Sequence, residues 1–498
     1  MTTPFFTRRN ALLTGLFGSG YVGLKAMATG LPAWFIANPS KATAQDLACA
    51  IEARENLQYL IVSVSSMGDP ISCNCPGTYA GGAPGDNPSA AAAIHPDDAA
   101  MAATPVTLGT QTYTAAAPWA TLGVTTADTS GETTRARTAF FHHVTLANNH
   151  GDQPKVMRLM GATTGGEMLV SAYAKHLAGC FGTVQQEPVA VGARGNASEL
   201  VSFAGRSLPS VSPTQLRQLL TGSTGGGFGG GGRNNPAQVL VSLRTIRDKY
   251  LDQLNELAKN GPGATAVQKK FLDALALSQS QVRQLTDNLA DTLSSINGDG
   301  VVDQAYAAAA LISANVSPVI TVRIPFGGDN HSDASLAAEV ADHTDANGNG
   351  AGVAGINAIL DALQGMQLAD KVTFATLNVF GRNLNGISKT ESKSGRDHYG
   401  NHSVAVIIGK NVKGGVYGGV ANVSGGFGSS GEALGASDID SATGASVASG
   451  GDVPRDETHV SMARTLGAAL GIPQAELDKS FVGSGGKVVP AALAGALT

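Results

Sequence analysis

Five short runs of almost unbroken apolar and β-branched residues constrain this chain more than any other feature: 57–64 (LQYLIVSV), 138–146 (TAFFHHVTL), 318–326 (PVITVRIPF), 371–377 (KVTFATL) and 403–408 (SVAVII). A strand with one wet face alternates apolar and polar residues, whereas a strand covered on both faces does not. Between the third and fourth runs, Ile356, Ile359, Leu360, Leu363 and Met366 recur at helical spacing over 355–369. Strand, helix, strand at that separation is the pattern of a right-handed parallel crossover. The expected class is therefore α/β, with a mainly parallel sheet buried on both faces.

The rest of the chain is less regular. Residues 80–134 are rich in Ala, Gly, Pro and Thr without a sustained period, and read as long loops with one short hairpin around 106–113. The stretch 222–232 (GSTGGGFGGGG) reads as a flexible linker. A phosphate-cradling loop would need a preceding strand, a lysine and a following helix in order. Two helical patterns, 236–259 and 265–296, lie between strands and predict a helical insertion, about 236–315, covering one side of the sheet. A second Gly/Ser/Ala loop spans 424–451, and a last helix spans 456–470 before Pro473. The 64 glycines fit long Gly-rich loops around a compact centre.

The N-terminus carries an address. Thr7-Arg8-Arg9-Asn10-Ala11-Leu12-Leu13 sets paired arginines before a weakly apolar stretch, and Ala42-Thr43-Ala44 supplies small residues at a peptidase site before Gln45. This predicts a twin-arginine signal over 1–44, read by the twin-arginine export machinery. The mature protein would then be periplasmic or extracellular. The competing reading, a membrane anchor over 12–36, is weakened by Gly15, Gly18, Gly20, Gly23, Lys25 and Gly30, because a spanning helix wants about 20 predominantly apolar residues. Removing Arg8, Arg9, Lys25 and Lys41 from the 33 basic residues leaves 29 against 38 acidic ones, a net charge of −9. That balance argues against a nucleic-acid partner, which calls for a basic face. The four cysteines are Cys49, Cys73, Cys75 and Cys180. In an oxidising compartment a disulfide from Cys49 to Cys73 or Cys75 is expected, and Cys73-Asn74-Cys75 is too tight for a zinc cluster.

Ionisable residues collect just beyond the runs. In parallel sheets, sites form outside the carboxyl ends of the strands. Asp69 follows the first run, Asn148, Asn149 and His150 the second, Asp329 and His331 the third, and Asn378 and Arg382 the fourth. Asp397 and His398 sit in a Gly-flanked turn before the fifth. Convergence of Asp, Asn and His from separate strand ends is what a metal site needs, and such ligands suit zinc, manganese, magnesium or calcium. A lone Asp-Xaa-His is more often a turn or cap, and it is the coincidence of Asp329-Asn330-His331 with Asp397-His398 that raises a site. Asp345-Ala346-Asn347-Gly348-Asn349-Gly350 copies the start of a calcium loop but has Ile356 at the twelfth position, where a Glu is wanted, so it reads as a solvated loop. His142 and His143 are adjacent in a strand and face opposite sides.

These residues also carry a family resemblance. The twin-arginine start, Gly327-Gly328-Asp329-Asn330-His331-Ser332, the later His343, Phe380-Gly381-Arg382, and Gly395-Arg396-Asp397-His398 running into 403–409 and 412–418 resemble the exported family called domain of unknown function 1501. The likeness is clearest over 318–420. That family is similar to the alkaline phosphatase and sulfatase superfamily, which implies a single doubly wound, alkaline-phosphatase-like α/β domain over 45–498 with a metal site at the strand ends. The family's Trp-Asp-Thr-His segment falls on Asp329 and His331, with Gly328 in place of Trp, and its Gly-Thr-Asp-His segment falls on Asp397 and His398. Its Ser-Glu-Phe-Gly-Arg segment falls on 378–382, where Val379 replaces the acid and Asn378 offers a neutral oxygen. Its first motif, Gly-Gly-x-Asp-Gly, falls on 65–70, shifted and without the glycine pair, with Asp69 as its acid.

The resemblance therefore implies Asp329, His331, Asp397 and His398 as metal ligands, Asp69 and Asn378 as weaker ones, and Arg382 steadying an anion or the fold. Each missing carboxylate weakens a dication site. The sulfatase signature Cys-x-Pro-x-Arg is absent, and no activated Ser or Thr can be named. Two functions follow: a divalent-metal hydrolase of a small phosphate or sulfate ester, or a non-catalytic periplasmic protein that binds or assembles with a protein partner on the same scaffold.

Overall fold

The computed structural model of the chain describes residues 56–192 apart from 182, 184 and 185, residues 202–221 apart from 204, 205 and 209, and residues 292–384, 395–423, 434–482 and 485–495, with isolated positions between 250 and 289. The expected signal over 1–44, Cys49, the Gly-rich stretch 222–232, most of 236–296 and residues 424–433 lie outside the described residues.

Eight strands form one sheet: β1 (Tyr59–Ser65), β2 (Thr138–His143), β3 (Val189–Val191), β4 (Ser210–Val211), β5 (Val319–Val322), β6 (Val372–Asn378), β7 (Ser403–Ile408) and β8 (Gly415–Tyr417). Their order across the sheet is β8-β2-β7-β6-β1-β5-β3-β4. β1 pairs in parallel with β6 and β5, and β3 pairs in parallel with β5 and β4. β7 runs antiparallel to both its neighbours, β6 and β2, while β8 is parallel to β2. The chain is thus an α/β protein with a mixed, mostly parallel sheet. All five apolar runs supply strands of it.

Strand parity divides the core into two. Leu60, Val62 and Val64, with Ala139, Phe141, Ala405 and Ile407, pack on one face against the helices Leu169–Phe181 and Thr458–Ala469. Ile61, Phe140, Val404, Val406 and Ile408 face the other way, against Val301–Ser313 and Gly352–Gly365. Because successive side chains point to opposite faces, a strand wedged between two helical layers must be apolar at every position. The helix Val301–Ser313, at the end of the expected insertion, lies on β5 and on Gly352–Gly365. The hairpin expected near 106–113 is Ala103–Leu108 paired with Gln111–Ala116.

The cysteines differ from expectation. Cys73 and Cys75 are both buried reduced thiols, and Cys180 is the disulfide-bonded one, its partner lying outside the described residues. Cys73 sits in the short helix Ile71–Asn74 with its Sγ 3.6 Å from the Arg382 carbonyl oxygen, and burial raises the Cys75 thiol far above its ordinary range. The turn at 345–350 closes on itself: Asp345 Oδ1 accepts from the N–H groups of Asn349 (2.8 Å) and Ala351 (3.1 Å).

Candidate metal centre

Connections at one end of the sheet build the site. Residues following β1, β2, β5 and β6 leave from carboxyl ends. β7 points the other way, so the residues preceding it reach the same end. The segments 66–69, 144–150, 323–331, 378–382 and 395–402 therefore meet.

Asp69 organises the first contact. Its side chain is 1% exposed and accepts from the Ser65 hydroxyl, from Phe326 N–H (2.8 Å) and Gly328 N–H (2.9 Å), and ion-pairs with Arg323 at 2.8 Å. Burial pushes its pKa up, but Arg323 and these hydrogen bonds outweigh it and hold the carboxyl below its usual value. Asn378 donates from Nδ2 to the Asp69 carbonyl (3.2 Å). Both residues thus shape the loop that carries Asp329, and neither belongs to the group around it.

That group is His150, Asp329, His331 and His398, whose ligand-type atoms all lie within 4.8 Å of one another and could hold a metal ion. Asp329 Oδ2 is 3.2 Å from His150 Nε2, and Oδ1 is 3.1 Å from His331 Nε2 and 3.6 Å from His398 Nε2. The Nε2 atoms of His331 and His398 are 2.6 Å apart. Phe380 stands behind, its ring centroid 4.1 Å from that of His398 and 5.1 Å from that of His150. The side chains of Asp329 (38%) and His150 (34%) are the most exposed of the four, which puts the open side there.

The other ring nitrogens fix which atom faces the centre. His150 Nδ1 is 2.6 Å from the Ser66 carbonyl oxygen, and His398 Nδ1 is 3.1 Å from that of Asn148. A carbonyl oxygen only accepts, so both Nδ1 atoms carry hydrogen, and the neutral form of each ring turns an Nε2 lone pair inward. Burial, and after it the Arg382 charge, holds His398 down to about 4, against the pull of the Asn148 carbonyl. The ring is neutral near pH 7. His331 Nδ1 faces Asp397 Oδ1 at 3.7 Å.

Asp329 is steadied from below. The Arg382 side chain is fully buried; its Nε donates to the Gly68 carbonyl (2.7 Å), and its two terminal nitrogens to the carbonyls of Arg396 (3.2 Å), Met67 (2.7 Å) and Gly328 (3.3 Å) and to Asp329 Oδ1 (2.7 Å). Partial burial would raise the Asp329 carboxyl, but Arg382, His331 and His150 keep it below its ordinary value. With all these bonds made, Arg382 ties the loops together. Arg396 is equally buried and forks onto Glu339 at 2.8 and 3.0 Å, whose oxygens also accept from Asn74 (2.6 Å) and Asn330 (3.0 Å).

Of the residues the sequence pointed to, Asp329, His331 and His398 are brought together, Asp397 stands behind His331, and Asp69, Asn378 and Arg382 build the surrounding loops. His150 joins the group though no motif contains it; its place beyond the second apolar run was the available signal. Val379 packs with Ala147, Val156 and Phe380 in a small apolar cluster. His142 and His143 point to opposite faces, His142 to His402 (3.0 Å) and His143 to a stack on His459, away from the centre. His343 is buried against Trp119 and Phe326. No protein-family model matches the chain, and no curated protein matches it either.

Proposed function

We propose that this chain is an exported protein, similar to domain of unknown function 1501 and to the alkaline phosphatase and sulfatase superfamily, that binds one divalent metal ion and hydrolyses a small phosphate or sulfate ester. One observation carries the reading. The Nε2 lone pairs of His150 and His398 converge on the Asp329 carboxylate, which near neutral pH has only lone pairs to offer. With the rings neutral, acceptors face acceptors at 3.2 to 3.6 Å, an arrangement that a bound metal cation relieves. Three imidazoles and one carboxylate favour zinc over magnesium and calcium, which prefer all-oxygen shells.

A divalent ion held there would act as a Lewis acid on an ester oxygen and on water. The chain's own part is to aim His150, His331 and His398, to hold Asp329 through Arg382, and to leave the side at His150 and Asp329 open to a small anion. The Cys180 disulfide supports an oxidising destination outside the cytoplasm. Among the described residues no helix is long and apolar enough to cross a membrane.

A second reading, a non-catalytic protein that binds or assembles with a partner, is favoured by Val379: its side chain is fully buried among apolar neighbours where the family resemblance expects an acid. Metal analysis of the mature protein, followed by assays on nitrophenyl phosphate and nitrophenyl sulfate, separates the readings. Zinc uptake with turnover that Asp329→Ala abolishes supports the hydrolase. Zinc uptake without turnover supports the second reading, and absence of zinc, manganese and calcium sinks the metal centre.

A further inference from the structure

Asp397 is buried, and its carboxylate points at the back of His331 rather than into the group of four. Three local features put it there. Gly395 donates its N–H to the His331 carbonyl at 2.8 Å, and a Cβ at Gly395 would stand 1.8 Å from the Asn330 carbonyl oxygen, so only glycine lets the two segments approach this closely. Arg396 anchors the next position through its fork onto Glu339. Asp397 itself is clamped to Asn383, donating N–H to Oδ1 (3.0 Å) and accepting from Asn383 N–H (3.1 Å). The backbone is therefore fixed on both sides of the carboxylate. The carboxylate so fixed stands 3.7 Å from His331 Nδ1, a charge contact just beyond hydrogen-bond distance.

We infer that Asp397 is a positioning residue of the proposed centre: as the carboxylate behind His331 it accepts the Nδ1 hydrogen when Nε2 turns its lone pair to an ion, and it is not itself a ligand. His331 thereby joins His150 and His398, whose Nδ1 atoms are held by carbonyls, so that all three rings present the same nitrogen to one point. An anionic acceptor does this more strongly than a carbonyl, and it makes His331 the best donor of the three. The inference rests on the metal-binding reading: without an ion the His331 Nε2, 2.6 Å from His398 Nε2 and 3.1 Å from Asp329 Oδ1, is the nitrogen that donates, and an ion at that point moves the hydrogen to Nδ1 and toward Asp397.

The test uses the full mature chain. Nitrogen-15 correlation spectra of the histidine rings in the zinc-loaded protein should show His331 bound through Nε2 with a hydrogen-bonded Nδ1–H in the wild type, and that Nδ1–H resonance should move upfield in Asp397→Ala. Asp397→Asn, which keeps the volume, guards against a folding defect. It should still bind one zinc ion, with an affinity lower by about 10- to 100-fold, and X-ray absorption of the zinc form should give the same number of imidazole and oxygen donors as the wild type. A His331 Nδ1–H resonance that does not move in Asp397→Ala, unchanged zinc affinity in Asp397→Asn, or loss of an oxygen donor in that variant overturns the inference and leaves the metal centre standing. If the wild type takes up no zinc, the metal centre fails and this role of Asp397 falls with it.

Discussion

Arg382 donates a 2.7 Å hydrogen bond to Asp329 from a guanidinium that is itself entirely buried. A residue meant to meet an incoming anion keeps donors open toward solvent, whereas Arg382 directs its terminal nitrogens to four carbonyls and carboxylates of the surrounding loops. Arg382→Met should therefore act first on stability. Its removal leaves the buried carbonyls of Gly68, Met67 and Arg396 without their donor, at about 1–3 kcal/mol for each group left unpaired, read as a lower urea midpoint. A variant with wild-type stability that had lost only anion affinity would show the arginine to be a binding group instead.

His150 offers the sharpest test of the centre, because no sequence motif includes it. Zinc should raise the melting temperature of the wild type, by roughly 2.7 kcal/mol of added stability at a hundredfold excess over Kd, and a chelator should reverse the shift. His150→Ala should abolish it while leaving the metal-free melting temperature close to wild type, since that ring sits at the open side; His398→Ala should abolish it too, with some loss of metal-free stability from the ring packed on Phe380. A zinc-induced shift that persists undiminished in His150→Ala removes that residue from the site.

Four buried histidines make stability depend on pH. Desolvation, chiefly, holds His142 and His459 down to about 4 and His143 to about 3, and pushes His402 well below its usual value. Their unfolded value is about 6.5, so between those limits the unfolded chain binds more protons and stability rises with pH. The contribution is complete above about pH 6.5 and is lost progressively as pH falls toward 4, at up to about 1.4 kcal/mol per pH unit for each ring. Urea midpoints measured from pH 7.5 to 4.5 should fall steeply through this window. A flat profile down to pH 5 would contradict the burial of neutral rings.

Glu339 and Arg396, both with fully buried side chains, should be coupled. Glu339→Ala leaves Arg396 charged and without its fork, which costs about 3–5 kcal/mol. The double variant Glu339→Ala with Arg396→Met should recover part of that loss. Strict additivity in a double-mutant cycle would mean that the pair does not interact.

Much of the fold was legible because its signal is local. Continuous apolar runs demand cover on both faces, and each run became a sheet strand, with Ile61 facing one layer and Leu60 and Val62 the other. The apolar pattern of β7 reads the same in either direction, however, so its antiparallel course could not be seen. That reversal is what brings Asp397 and His398, which precede β7, to the end where Asp329 and His331 follow β5. Asp69 resembled a ligand until Arg323, 254 positions away, neutralised it.

The sequence by itself determined which segments are buried, which loops carry ionisable groups, and that Asp329, His331 and His398 belong near strand ends, since burial and strand geometry are written in near-neighbour spacing. Only the tertiary structure decided that His150 completes the group, that Asp397 stands behind His331, that Arg382 is spent on the loops, and that Cys180 rather than Cys73 or Cys75 is oxidised. Those outcomes depend on contacts between residues tens to hundreds of positions apart, and a side chain's role there is set by which charge, lone pair or thiol it meets.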